Sequence, residues 1–318
     1  MSASATDSRS NDWIWYAAAL AAHTGWGIYP ALGRYMQTVA GLPSMSILVI
    51  GGLPMLVLML VYVLPRYGIA PFRRNHLMWA FALVVAFRSI TNLVSARFTL
   101  SIYVQLIALL TPFIVVLLSR VFLKEKVPSY TLPAITLSVI GSLLVMSSSP
   151  GAAGLRIALT PSDWLGISMA AASSIGLAVY MLIIRRTASS HIPGDVVLIF
   201  QTVVIMLTAL LLSLLLGEDW SRWTTLDRTG WTVVGAYIVC VIFGANGLQI
   251  TALRHLGAPT VSTLMPWRLI SALIIGNLLL NERLESIWQA LGAVLVLGAI
   301  SWYLWQRRKD SREQENLG

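Results

Sequence analysis

Apolar residues run through this chain in blocks of about twenty, separated by short polar or turn-forming stretches. Twenty helical residues at 1.5 Å each cover the roughly 30 Å core of a bilayer. Inside lipid every backbone amide must find its partner within the chain, so blocks of that length predict helices. Ten follow: 13–33, 43–64, 77–95, 100–122, 131–148, 162–184, 194–216, 231–252, 259–280 and 285–306. The block opening at Trp13 is longer than a secretory h-region of about 7–15 residues and is read as a membrane helix. The expected fold class is an all-α integral membrane protein. A polar tail (1–12) precedes a first five-helix set (13–148), a linker (149–161), a second set (162–306) and a charged tail (307–318).

The two sets repeat one another. Span four ends Val121-Phe122-Leu123-Lys124-Glu125-Lys126 and span nine ends Leu278-Leu279-Leu280-Asn281-Glu282-Arg283. A shift of 157 residues lays Glu125 on Glu282 and Gly141 on Gly298, while a shift of 156 lays Phe87 on Phe243 and Leu100 on Leu256. Five helices is an odd number, so the second set is expected to cross the membrane inverted. Inverted repeats place a substrate site near the midplane between them.

Composition narrows the class further. Only 11% of residues are charged and 57% are hydrophobic, against about 25% charged in a soluble domain. No room remains for a second, water-soluble domain. The net charge of +9 is the next observation. Its basic residues are scattered over short loops, which argues against a nucleic-acid partner and for the lipid bilayer. With the N-terminus inside, Arg34, Arg97, Arg156, Arg222, Arg228 and Arg283 fall outside, and Arg88, Arg120 and Arg268 fall within spans. The other thirteen of the 22 lie on the inner side, which places both termini in the cytoplasm. The single cysteine, Cys240, can form no intrachain disulfide.

Several motifs resemble one family. Trp26-Gly27 in span one looks like the Trp-Gly pair of EamA-type members of the drug/metabolite transporter superfamily. Thr111-Pro112, with Glu125 thirteen residues after the proline, resembles their signature in the fourth helix; Tyr180 with Arg185-Arg186 resembles the end of their sixth. In the second half the match is looser, because Leu269 stands where that proline would be and Pro266 lies about a turn earlier. The resemblance implies a ten-helix secondary transporter of a bacterial inner membrane, with a cavity lined by helices one, three, four, six, eight and nine. It favours export and leaves the substrate open.

Charges within spans are the sharpest chemical evidence, since each costs about 2.5–3.5 kcal/mol to insert. Arg88 and Arg268 lie near mid-span, and no Asp or Glu lies at that depth. A guanidinium facing a cavity suits a carboxylate or phosphate. The alternative is that each bonds backbone carbonyls freed by irregular geometry, which Pro266 would supply beside Arg268. Arg120 reads as an interfacial anchor. Around the arginines, Arg88, Asn92 and Ser95 form one stripe at i, i+4, i+7, and His23, Trp26, Gly27 and Pro30 share a face of span one. Ser173 and Tyr180, Tyr103 and Gln105, and Asn246 and Gln249 add polar groups on spans six, four and eight. Each is a candidate substrate contact or an interhelical hydrogen bond. Trp26 and Trp267 either stack on a ligand or fill the core. His23 either carries a proton or hydrogen-bonds as a neutral ring. The remaining histidines, His76, His191 and His255, are read at loops or helix ends. Pro30, Pro112 and Pro266 are candidate hinges, and Glu125 and Glu282 are gate or loop-fixing carboxylates paired with neighbouring bases.

No His-Glu-x-x-His, Gly-x-Ser-x-Gly or Walker lysine occurs, so an enzyme is not expected, and neither a metal nor a cofactor is called for. The expectation is a transporter of a small polar metabolite, an amino acid or other carboxylate, anion or zwitterion, working by alternating access as a monomer or weak homodimer. Its alternatives are an uptake carrier or exchanger for a phosphorylated or nucleotide-type metabolite, a passive channel, and a membrane-embedded enzyme.

Overall fold

Backbone amides that cannot reach water close on carbonyls of the same helix, and along the apolar blocks the described residues of the computed structural model are mostly helical. It describes residues 12–68, 76–124, 127–147, 159–187 and 194–317. In chain order the helices are α1 (Asp12–Arg34), α2 (Ser44–Leu58), α3 (His76–Phe98), α4 (Ser101–Leu109), α5 (Thr111–Leu123) and α6 (Thr131–Val145), followed by α7 (Pro161–Thr187), α8 (Gly194–Leu215), α9 (Arg228–Ala236), α10 (Asn246–Ser262), α11 (Trp267–Leu280) and α12 (Ile287–Leu317). π-helical turns extend α1 (Tyr35–Val39), prolong α2 (Met59–Val63) and join α9 to α10 (Tyr237–Ala245). No β-strand occurs among the described residues.

Three boundaries differ from the sequence expectation. The predicted span four is two helices, because the chain turns once at Leu110 before Pro112 enters at the start of α5. The predicted gap at 253–258 is helical: α10 runs on to Ser262 and the chain breaks only at 263–266. His255 therefore lies within a helix, stacked on Trp15 at 3.6 Å between ring centroids, and His76 opens α3. His191 and Glu125 lie outside the described residues. Past residue 306 the basic tail continues α12 to Leu317.

Seven described helical segments are long and apolar enough to cross a membrane, and α6 and α11 are shorter apolar helices. The repeat is written into backbone conformation. Among the described residues the non-glycine positions with positive φ are Lys124 (56°) and Asn281 (55°), 157 residues apart, each closing a helix just before Glu125 or Glu282.

The helices group into two compact units, each drawing on both sequence repeats. One comprises Pro30–Val127 and Leu159–Ile238. Within it α3 lies along α7, α8 packs on α2 and α3, and α4 and α5 pack on α7. Gly166 and Gly52 permit two of these approaches: a Cβ would stand 2.7 Å from the Thr99 Cβ at the first and 2.8 Å from the Met206 Cβ at the second. Polar ends are tied by carboxylates. Asp163 accepts from Thr99 Oγ1 (2.7 Å) and from the Thr160 amide (2.9 Å), while Arg34 donates to the carbonyls of Ala96 and Thr99. Glu218 caps α2 from a distant loop, accepting from the amides of Met45 (2.9 Å) and Ser46 (3.0 Å) and from Ser213 Oγ (2.8 Å).

The other unit comprises Met1–Tyr29, Pro128–Ala158 and Val239–Gly318. There α6 lies along α12 at a glycine-on-glycine crossing. A Cβ on Gly141 would meet the Gly292 carbonyl oxygen at 2.8 Å, and one on Gly292 would meet the Gly141 carbonyl at 2.6 Å. At the head of α6, Tyr130 Oη donates to Asp310 Oδ2 of α12 at 2.5 Å.

Candidate functional site

The predicted site residues fall into two groups, one in each unit. The tighter group forms where α1 meets the break between α10 and α11. Pro266 has no amide hydrogen and stands as the N-cap of α11, so the chain closes the break with short-range bonds, Leu264 to Val261 O and Arg268 to Met265 O. Arg268 thus enters on the first turn of α11 and is 9% exposed. Its Nε donates to His23 Nδ1 at 2.9 Å, and its guanidinium carbon stands 5.9 Å from the centre of the Trp26 ring, at the edge of cation–π range. His23 is 1% exposed, and its Nε2 bonds the Val261 carbonyl oxygen at 2.9 Å. Trp267 Nε1 donates to Thr24 Oγ1 (2.9 Å), which donates in turn to Leu20 O.

Glycines let α1 come this close. A Cβ at Gly27 would lie 2.5 Å from the Arg268 carbonyl oxygen, and one at Gly25 would lie 2.5 Å from that of Cys240. Real Cβ atoms essentially never come within 3.0 Å of a neighbour. The glycine of the Trp26-Gly27 pair is therefore a close-approach glycine, and the tryptophan beside it borders the buried guanidinium.

The second group lies on α3, α4 and α7. The stripe of Arg88, Asn92 and Ser95 lies on α3; Ser173 Oγ of α7 donates to the Arg88 carbonyl (2.9 Å), and within α3 Ser95 Oγ donates to the Asn92 carbonyl. Gly176 lies against Arg88, with room for a Cβ only 3.2 Å from the arginine's own. One turn on, Tyr180 stacks on Phe81 at 4.7 Å. Tyr103 is buried on α4, as is Gln105.

Other candidates have mainly structural surroundings. Asn246 Nδ2 donates to the carbonyls of Val241 (3.1 Å) and Ile242 (3.0 Å), within the π-helical segment that precedes it. Gln249 is half-buried one turn further along α10. Pro30 is buried inside α1 and Pro112 opens α5. Glu282 is buried just past α11, while Arg283 Nε donates to Asn277 Oδ1. Arg120 is exposed near the end of α5. Among the described residues no group of three His, Cys, Asp or Glu could hold a metal. Sequence reasoning missed Thr24 and the Val261 carbonyl, neither of which carries a signal beyond its place on a helix.

A protein known from a crystal structure resembles the chain at a TM-score of 0.60, with 18% identity over 92% of this chain and 98% of its own. Likeness at that identity speaks for the fold alone. No curated protein sequence matches at a significant level. The model of the EamA-like transporter family matches twice, over residues 13–147 and 164–305, the two halves marked by the repeated Glu125 and Glu282 and by the paired left-handed helix ends. This membrane protein, built of two repeats and carrying a buried arginine against the Trp-Gly pair of its first helix, belongs to the EamA-like transporter family.

Proposed function

We propose that the chain is a secondary transporter that exports a small carboxylate-bearing metabolite, an anion or a zwitterion such as an amino acid, across a bacterial cytoplasmic membrane. It works by alternating access of two inverted five-helix repeats, ten spans in all, with both termini in the cytoplasm. The family consists of transporters, and nothing in the motif content calls for catalysis.

One observation carries the substrate class. Arg268 is buried within an apolar span, in a chain with no Asp or Glu at mid-span depth. Its Nε bonds the His23 ring and its guanidinium borders the Trp26 indole, and a planar fork held in that way suits a carboxylate or phosphate. Arg88, packed against Gly176, is a second candidate anion contact in the other unit.

The test is counterflow in proteoliposomes loaded with a metabolite mixture, read by mass spectrometry. Selective, saturable exchange of one carboxylate or zwitterion class in the wild type, lost in Arg268→Gln at unchanged expression and fold, is the expected result. Exchange of neutral or cationic solutes alone, or normal exchange by Arg268→Gln, overturns the substrate assignment.

A further inference from the structure

We infer that His23 is the positioning residue of the Arg268 site: a neutral imidazole that accepts from the guanidinium on one nitrogen and reaches across the helix break with the other. The inference deepens the reading of Arg268 as the anion grip and rests on it for its consequence in transport.

The proton count fixes the tautomer. An arginine Nε carries one hydrogen and no lone pair to offer, so at 2.9 Å His23 Nδ1 must be the acceptor and bears no proton. The ring's single proton then sits on Nε2, where it donates to the Val261 carbonyl oxygen at 2.9 Å. Both bonds are made by a ring 1% exposed to solvent, so water does not compete for either.

The two partners stand on opposite sides of the break. Val261 belongs to the last turn of α10, and Arg268 to the first turn of α11. From α1, His23 therefore clamps both ends of an interrupted helix, and the contact of Trp267 with Thr24 and the close approach at Gly27 hold the α11 end against α1. A guanidinium is planar, so fixing the direction of Nε–H fixes the plane and the direction of its fork. Orientation matters because a planar fork recognises a carboxylate by geometry as well as by charge. One consequence follows. A proton arriving at Nδ1 would face the Arg268 Nε–H, so His23 serves as a clamp and not as a proton shuttle.

The test uses the whole protein in lipid, with ¹⁵N-labelled histidine and arginine followed by solid-state NMR, His23 being assigned by its loss in His23→Asn. The expected wild-type signals are an unprotonated Nδ1 and a protonated Nε2, unchanged between about pH 8 and 6. Arg268→Gln should shift Nδ1, and His23→Leu should shift the Arg268 Nε. In the second arm, counterflow of labelled phenylalanine, succinate and glycerol 3-phosphate is compared across variants. His23→Asn, whose amide oxygen takes the place of Nδ1, should keep KM within about threefold. His23→Leu should raise KM about tenfold or more, the loss of one hydrogen bond to a charged group, with kcat much less affected. A protonated Nδ1 overturns the proposal, as does wild-type counterflow by His23→Leu when Arg268→Gln is inactive. Should Arg268→Gln exchange normally, or the wild type exchange none of the three probes, the anion reading falls, and the NMR arm alone decides the clamp.

Discussion

Gly141 and Gly298 occupy equivalent places in the two repeats, yet alanine should stabilise only at Gly298. Both sit inside helices, α6 and α12, where alanine in place of glycine gains about 1 kcal/mol of helix propensity. That gain is common to both and cancels when the two variants are compared. What differs is the space. Around Gly298 nothing lies within 4 Å of an added Cβ. At Gly141 the Cβ would meet the Gly292 carbonyl oxygen and the Val296 Cγ2 at 2.8 Å each, and the Val296 amide nitrogen at 3.0 Å. Two of those three atoms are backbone, so relief requires α6 and α12 to move apart rather than one side chain to turn aside. Such overpacking costs about 1–3 kcal/mol, and that is the expected gap between the variants. Gly298→Ala should stand about 1 kcal/mol above the wild type, and Gly141→Ala level with it or below by up to about 2 kcal/mol. Thermal unfolding in detergent, followed by intrinsic fluorescence under identical conditions, ranks the three proteins. Gly141→Ala unfolding at or above the temperature of Gly298→Ala would refute the argument that backbone approach governs this crossing.

Other outcomes follow from single side chains. Glu218→Ala removes the acceptor of two amides at the start of α2 and should cost about 1–2 kcal/mol in the same unfolding assay, with Glu218→Gln retaining part of the loss. Asn246→Ala should lower stability by about 1–2 kcal/mol while leaving counterflow KM unchanged, because its amide serves π-helix carbonyls; a raised KM would return it to the binding site. Burial, with the hydrogen bond to Asp310, pushes the Tyr130 phenol above the usual tyrosine range. A raised folded value means that this contribution is intact below the ordinary phenol pKa of about 10 and is lost as pH rises through the folded value. Ultraviolet titration should therefore give Tyr130→Phe the same absorbance change near pH 10 as the wild type, and Tyr130→Phe should lose that component of the alkaline fall in melting temperature.

Most of the helices could be read from the chain because lipid imposes one rule on every residue: an apolar block of sufficient length has no other way to satisfy its amides. The repeat was equally legible, since Lys124-Glu125 and Asn281-Glu282 mark the same left-handed helix end in both halves. Hydropathy says nothing, however, about which backbone meets which. The glycine partner of Gly141 is Gly292, six residues before the position the repeat assigns, because α6 crosses α12 within one compact unit while the repeat runs along the chain. The π-helical turns also left no mark, and nothing in the sequence shows that Asn246 Nδ2 donates to the carbonyls of Val241 and Ile242. Arg88 and Arg268 could be found because charge in lipid is costly enough to stand out. The partners of His23 lie 238 and 245 residues away along the chain, and no local spacing encodes them. What the sequence marks is the expense of Arg268. What the fold adds is a neutral acceptor that aims its charge without neutralising it, and this is why His23 and Arg268 have to be tested as a pair.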